Sequence, residues 1–384
     1  MEIFIPHKTV SLIRSSYSKA TAFVSFNLLL IINLVVSGMM ITKSRGESTG
    51  TVGGIYVFGD SLVDVGNNNY LPLSLLRANL PYNGIDYQDK KPTGRFSNGR
   101  NAADFIAEKL ELPTAPPYLR RRDNELYLKG VSFASGGAGI LNTTNENLIK
   151  QTIPMPLQVN QFGRVREGLL KQMGDAGVQE HLSKSLFPIV FGSNDILRYF
   201  SEGSEQSKEY LPQQYVDLMV STLKQLLKGI HGLGARKFLV VAIPPLGCAP
   251  KQRLKSKTDA CDEEVNNWSK KYNDELTRML PSLQLELGAF HYTYFDTYGV
   301  LLELIQNAAA YGFNNTKGAC CGAGRLRAEL PCTPLAVFCL NRSAHIFWDI
   351  FHPTEAAAHA AIDILFRGSG NYVFPMTIQQ LIAL

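Results

Sequence analysis

The chain has 384 residues, of which 45% are hydrophobic and 18% are charged. This balance excludes a largely disordered protein and allows a sizeable core. The formal net charge is +5, and it falls to about +3 without residues 1–38, which hold three basic residues and one acidic residue. The remaining charge forms no basic stripe, so the sequence argues against nucleic-acid binding.

The first fifty residues differ from the rest of the chain. An apolar stretch over about residues 23–40 follows three basic residues, Lys8, Arg14 and Lys19. This order is typical of a secretory signal, which we place at residues 1–38, with 39–50 as a short linker. An uncleaved signal anchor is the alternative, and no later segment is apolar enough to span a bilayer. We therefore expect a secreted protein, extracellular or in the cell wall, with an endomembrane compartment as the alternative.

Strand-like and helix-like segments alternate after residue 51. Short runs rich in β-branched and aromatic residues predict five strands, at 55–58, 130–133, 186–191, 238–243 and 290–295. Helical spacing of apolar residues predicts helices at 101–110, 211–233 and 265–280. The alternation predicts an α/β fold, a three-layer α/β/α sandwich around a mainly parallel five-stranded sheet. One domain over 51–370 is the simplest division, followed by a C-terminal tail at 371–384.

The cysteines all lie in the C-terminal half: Cys248, Cys261, Cys320, Cys321, Cys332 and Cys339. Behind a secretory signal they favour disulfides, with zinc binding as the alternative. Cys248 and Cys261 could close one bridge. The adjacent Cys320 and Cys321 are too close to bond each other without strain, so each is expected to bond Cys332 or Cys339. The choice between these pairings stays open.

Four N-glycosylation sequons fit passage through the secretory pathway. They are at Asn142, Asn267, Asn314 and Asn341.

Chemically suggestive residues follow the predicted strands. A Gly-Asp-Ser-Leu motif at 59–62 places Ser61 directly after the first strand, where a helix-capping serine is the ordinary interpretation. Asp349 and His352, three residues apart, offer an acid and a base that could activate a serine hydroxyl. Because ligands bind at the carboxyl ends of parallel strands, these groups could share one site.

Five segments, in this order, resemble the plant GDSL esterase/lipase family, a branch of the SGNH hydrolases. They read FGDSLVDVGNN at 58–68, GRFSNGR at 94–100, FASGGAG at 133–139, GSND at 192–195 and FWDIFHPTE at 347–355. The resemblance implies a flavodoxin-like fold that needs no metal or organic cofactor. One departure is Ser132, where the family commonly has asparagine, which puts a supporting hydrogen bond in doubt.

The resemblance also implies the roles of individual residues. Ser61 would be the nucleophile, His352 its base and Asp349 the acid that orients the imidazole. The oxyanion would be bound by the Ser61 backbone N–H, the Gly136 N–H and the Asn194 side chain. The neighbouring Gly137 leaves the glycine register open by one residue.

The sequence thus predicts a secreted serine esterase or lipase that hydrolyses carboxylic esters through an acyl-enzyme. An acyltransferase with the same triad and a non-catalytic wall or carbohydrate-binding protein are the alternatives. The expected partner is a small-molecule, lipid or polymer ester. We expect a monomer with no stable membrane insertion after signal removal; the acyl and alcohol parts of the substrate are not specified.

Overall fold

A mainly parallel sheet lies at the centre of the computed structural model, which describes residues 52–120, 127–368 and 371–384. The predicted signal at 1–38 and linker at 39–50 lie outside the described residues. In chain order the strands are β1 (Ile55–Gly59), β2 (Gly130–Ser132), β3 (Leu186–Val190), β4 (Lys237–Val241), β5 (His291–Phe295), β6 (Asn315–Ala319), β7 (Cys321–Gly322), β8 (Val337–Phe338), β9 (His345–Phe347) and β10 (Val373–Phe374).

The central sheet has the strand order β10-β5-β4-β3-β1-β2. Strands β1 to β5 are parallel to one another, and they are the five predicted strands. The predicted fold class is therefore confirmed, with one correction: β10 adds a sixth strand, antiparallel to β5. Two small sheets, β6 with β9 and β7 with β8, lie outside the central sheet.

Helices cover both faces of this sheet. In chain order they are α1 (Ala102–Lys109), α2 (Glu146–Ile149), α3 (Met155–Ser183), α4 (Ser193–Tyr199), α5 (Glu205–Glu209), α6 (Pro212–Gly232), α7 (Pro250–Arg253), α8 (Glu263–Leu287), α9 (Thr297–Gln306), α10 (Glu355–Arg367) and α11 (Ile378–Ala383). The three predicted helices correspond to α1, α6 and α8, and α8 runs longer than predicted. No helix within the described residues is long and apolar enough to cross a bilayer.

Alternation along the strands divides the core into two layers. In β1, Tyr56 and Phe58 belong to the hydrophobic cluster with α3, α6 and α8. Ile55 and Val57 belong to the second cluster, with α1, α9, α10 and α11. Successive side chains of a strand point to opposite faces, so a strand that is buried throughout needs apolar residues at every position. This explains why the strands read as continuous apolar runs.

The segment predicted as a tail at 371–384 packs against the domain. It forms β10 and α11, and Ile378 and Leu381 are buried in the second hydrophobic cluster. The buried Lys237 ammonium also donates to the Ile382 carbonyl at 2.9 Å. A two-residue strand and a six-residue helix are too short for a periodic pattern to reveal, which is why the sequence indicated only a tail.

Three disulfides use all six cysteines. The pairs are Cys248–Cys261, Cys320–Cys339 and Cys321–Cys332, which resolves the choice that the sequence left open. The thiols are thus not available as zinc ligands. Four of the half-cystines pack with the fully buried Trp348 in a separate small cluster, defined here as the cystine cluster. The cystine cluster therefore anchors Trp348, the residue that directly precedes Asp349.

The end of β1 is held by a side chain in addition to its pairing with β3. Gln158, fully buried on α3, accepts from the Gly59 N–H at 3.0 Å and donates to the Gly59 carbonyl at 2.8 Å. Its amide also donates to the Ile153 carbonyl at 2.7 Å. The backbone polar groups at this strand end are thereby satisfied away from water.

We predict that Gln158→Leu lowers the free energy of unfolding by roughly 1–3 kcal/mol, because the buried Gly59 N–H loses its acceptor. Gln172→Leu, an exposed change on the same helix, should stay within about 0.5 kcal/mol of the wild type. Urea unfolding of the two variants provides the comparison. Equal stability of both variants would contradict the anchoring role of Gln158.

Candidate functional site

Ser61 lies in a tight turn at the carboxyl end of β1. The Asp60 carboxylate accepts the Leu62 N–H at 2.9 Å, and the Asp60 carbonyl accepts the Val63 N–H at 3.3 Å. Gly59 precedes the turn where the chain is crowded: a Cβ there would lie 2.4 Å from Cγ2 of Val63. Glycine is therefore required for the close approach, and the turn projects Ser61 beyond the edge of the sheet.

Asp349 and His352 lie in a second turn, which the Asp349 side chain closes. One carboxylate oxygen accepts the backbone N–H groups of Phe351 at 2.9 Å and of His352 at 2.8 Å. The His352 carbonyl accepts the Trp348 N–H at 2.7 Å. The geometry of this turn is thus fixed by hydrogen bonds within it and by the cystine cluster beside it.

The two turns meet through side chains that are 291 residues apart. Nε2 of His352 lies 2.8 Å from Oγ of Ser61, and Nδ1 lies 2.9 Å from both carboxylate oxygens of Asp349. With its proton on Nδ1, the imidazole donates to the carboxylate and leaves Nε2 to accept the Ser61 hydroxyl. Ser61 and His352 are only 8% and 9% exposed. The arrangement is a continuous hydrogen-bonded chain, Ser61–His352–Asp349.

Burial and mutual attraction set the pKa values of Asp349 and His352. Burial raises the pKa of Asp349, but the charge of His352 and the hydrogen bonds to the carboxylate outweigh it, leaving the pKa below its ordinary value. Burial lowers the pKa of His352, but the charge and hydrogen bond of Asp349 outweigh it, and the charge of Asp60 adds to them. The pKa of His352 is therefore raised above its ordinary value.

Asp60 is a second buried carboxyl group beside the chain. Burial raises its pKa to about 7, against the hydrogen bond from Leu62 and the attraction of His352. Its Oδ2 lies 3.4 Å from the amide nitrogen of Asn194. Asp60 thus interacts with both the imidazole of His352 and the amide of Asn194.

Asn194 lies on the first turn of α4, after β3. Its amide nitrogen is 3.0 Å from the Ala138 carbonyl. The neighbouring Asp195 accepts the N–H groups of Ile140 and Leu141 and the hydroxyl of Thr144. These bonds join α4 to the loop after β2, so the segments at 133–139 and 192–195 form one hydrogen-bonded unit.

The backbone N–H of Gly136, which the sequence predicts as an oxyanion donor, already has an acceptor. The Gly136 N–H donates to Oδ2 of the buried Asp64 at 3.0 Å, and Oδ1 of Asp64 accepts the N–H groups of Gly66 and Asn67. In this arrangement the Gly136 N–H is engaged by Asp64, which favours Gly137, the alternative that the sequence left open. The N–H groups of Ser61 and Gly137 make no hydrogen bond within the described residues.

The segment at 94–100 supports the histidine, a role that the sequence did not reveal. The rings of Phe96 and His352 lie 5.0 Å apart, centroid to centroid, and the Asn98 side chain accepts the Glu355 N–H at 2.8 Å. Arg95 is anchored by a buried bidentate pair with Asp104, both contacts at 2.7 Å. Spacing in the chain gives no signal for the contacts of Phe96 with His352 and of Asn98 with Glu355, because each bridges more than 250 residues. The Ser132 hydroxyl, at the position of the family's asparagine, is buried without a hydrogen-bond partner.

An open cavity of about 830 Å³, the outer cavity, contains Ser61, Asp349, His352 and Asn194 in its lining. Much of the remaining wall is aliphatic or aromatic, including Leu75, Leu76, Leu148, Leu197 and Phe200. A concave and mostly apolar site with a few convergent polar groups is typical of small-molecule binding. Within the described ranges, no group of three or more acidic, histidine or cysteine residues is arranged to hold a metal ion.

The four sequon asparagines, Asn142, Asn267, Asn314 and Asn341, are all exposed. Each is therefore accessible to a modifying enzyme in the folded protein.

A family profile and curated relatives indicate one family. The profile of the GDSL-like lipase/acylhydrolase family matches residues 55–365. Two GDSL esterase/lipases of Arabidopsis thaliana are 48% and 38% identical to this chain, covering 87% and 88% of it and 90% and 95% of their own lengths. Among solved structures, an acetyl xylan esterase of Geobacillus stearothermophilus aligns with a TM-score of 0.36 at 13% identity, over 82% of this chain and 92% of that one.

The electrostatics of the site predict an elevated imidazole pKa. We expect an NMR titration to give His352, assigned by loss of its signal in His352→Gln, a pKa above that of an ordinary histidine. Asp60→Asn and Asp349→Asn should each lower it, because an ionised carboxylate favours the imidazolium. Asp363→Asn, beside His359 and Lys109, is the control that should leave it unchanged. An unshifted or lowered pKa in the wild type would contradict this account.

Proposed function

This chain belongs to the GDSL-like lipase/acylhydrolase family and is a carboxylic ester hydrolase, and we propose that it cleaves esters through an acyl-enzyme on Ser61. The predicted family resemblance is confirmed. The observation that carries the proposal is the hydrogen-bonded chain from the Ser61 hydroxyl through His352 to Asp349. A serine hydroxyl is a weak nucleophile unless such a base lies within hydrogen-bond reach.

In the first half of the reaction, Oγ of Ser61 attacks the carbonyl carbon of the ester while Nε2 of His352 takes the hydroxyl proton. Asp349 holds the imidazole in the tautomer whose Nε2 is free to accept, and it stabilises the imidazolium that forms. The carbonyl oxygen becomes an oxyanion in a tetrahedral intermediate. Collapse of the intermediate breaks the ester C–O bond, and His352 returns the proton to the departing alcohol.

In the second half, water replaces the alcohol. His352, neutral again, takes a proton from a water molecule that attacks the acyl carbon on Ser61. The second tetrahedral intermediate expels Oγ of Ser61, which recovers its proton from His352. The products are a carboxylic acid and the free enzyme, so no external reductant, oxidant or cofactor enters the balance.

The oxyanion needs donors that are not already bonded. We assign this role to the backbone N–H groups of Ser61 and Gly137 and to the amide of Asn194. Gly137 replaces Gly136 because the Gly136 N–H donates to Asp64. The Asn194 amide keeps its 3.0 Å bond to Ala138 and can exchange its longer 3.4 Å contact with Asp60 for the oxyanion.

We further propose that the protein is secreted and glycosylated. The basic and apolar order of residues 1–38 supports a signal, although that segment lies outside the described residues. The three disulfides and the exposed sequons support an oxidising secretory route. The outer cavity is large enough for a drug-sized ester, so a small acyl ester or the end of a lipid or polymer chain fits it.

We predict that Ser61→Ala lowers kcat for p-nitrophenyl butyrate by at least about 10⁴-fold, because the covalent route is lost. The thermal unfolding midpoint should stay close to that of the wild type. Ser221→Ala, an exposed change on α6, is the matched control and should retain full activity. Turnover by Ser61→Ala at the wild-type rate would overturn the assignment of the nucleophile.

A further inference from the structure

A second, smaller cavity, partly open at its mouth, lies beside the turn that holds Ser61. This inner cavity has a volume of about 140 Å³ and lies between the sheet and helices α1, α9 and α10. The sheet contributes Val190, Leu239 and Phe295 to its wall. The mechanism on Ser61 uses none of these three residues.

The inner cavity offers no free polar group to a guest. Three of its lining side chains are polar, and each is bonded to the protein. The Ser97 hydroxyl donates to the Arg100 carbonyl, the Asn101 amide donates to the Asp64 carbonyl, and the Thr297 hydroxyl donates to the Ala242 carbonyl. Water needs two to four polar partners to occupy a buried site, whereas a dry apolar cavity of about 150 Å³ binds a hydrocarbon guest such as benzene.

Small residues on one helix create the space. Ala357, Ala358 and Ala361 of α10 face the cavity, where larger aliphatic side chains would fill it. Protein cores are otherwise close-packed, and an unfilled apolar void weakens a fold. A guest that fills the void would offset this loss.

The inner cavity adjoins the outer cavity at the nucleophile. Four residues line both cavities: Leu62, Phe96, Pro244 and Phe351. Leu62 directly follows Ser61, and Phe351 directly precedes His352. Both Leu62 and Phe351 are half-buried. A chain attached to Oγ of Ser61 therefore has an apolar volume next to its point of attachment.

We propose that the acyl chain of the substrate enters the inner cavity between Leu62 and Phe351, while the alcohol part occupies the outer cavity. This inference rests on the proposed function of Ser61. A cavity of this size holds about six carbon atoms, in addition to the carbonyl carbon at Ser61. The substrate class is thus medium-chain acyl esters, near hexanoyl to octanoyl, and longer chains exceed the space.

The test measures kcat/KM for p-nitrophenyl esters from acetyl to dodecanoyl. The wild type should rise to a maximum near hexanoyl to octanoyl and then fall. Ala361→Leu should lower kcat/KM for the octanoyl ester by at least about tenfold and leave the acetyl ester unchanged. Ala360→Leu, the same change one residue away, is the matched control because Ala360 does not line the cavity, and it should keep the wild-type profile.

A binding measurement separates this inference from the proposed function. Calorimetry with octanoate uses the Ser61→Ala protein, which cannot react, with and without Ala361→Leu. We expect octanoate to bind Ser61→Ala and to lose affinity by at least about tenfold in the double variant. If the wild type hydrolyses no ester, the proposed function fails. The binding result then decides by itself whether the inner cavity holds an acyl chain. Octanoate affinity and chain-length profiles that Ala361→Leu leaves unchanged would overturn the inner acyl site.

Discussion

The hydrogen bond between Oγ of Ser61 and Nε2 of His352 is the constraint on which the rest of the site depends. At 2.8 Å it joins the end of the first strand to a turn near the end of the chain. Its geometry is kept because both partners are fixed separately. Gln158 anchors the strand before Ser61, and Asp349 and the cystine cluster hold the turn of His352. A loosened anchor on either side would lengthen the contact that the proposed activation of the serine requires.

Burial and electrostatic attraction together determine the pKa values of the site. Desolvation alone would raise the pKa of Asp349 and lower that of His352, and their mutual attraction reverses both shifts. The pKa of Asp60 is set mainly by burial, which raises it to about 7. The Asp60 carboxylate adds a weaker attraction for the imidazolium. A proton that arrives on His352 during reaction is therefore met by one ionised and one titrating carboxyl group. This difference arises because the charge of His352 and its hydrogen bonds outweigh burial at Asp349, whereas at Asp60 burial outweighs the Leu62 hydrogen bond and the charge of His352.

Local sequence patterns were sufficient for the parallel strands and for the residues of the Ser61–His352–Asp349 chain. Buried parallel strands are continuous apolar runs, and the family motifs include Ser61 and His352 at fixed positions. The pattern could not reveal β10, which is only two residues long, nor the occupied N–H of Gly136, which depends on where Asp64 points. The contact of Phe96 with His352 and the inner cavity are also properties of packing between distant segments. Such contacts leave no periodicity to detect in one chain.

We propose that Ser61 is the activated nucleophile because His352 deprotonates it, and chemistry can test this in a single step. The most direct measurement is covalent labelling by a fluorophosphonate, with the modified residue located by peptide mass spectrometry. We predict one adduct, on Ser61, in the native protein, with labelling slowed by orders of magnitude in His352→Gln and absent after unfolding. An adduct on another serine, or labelling of Ser61 at the same rate without the histidine, would contradict the account.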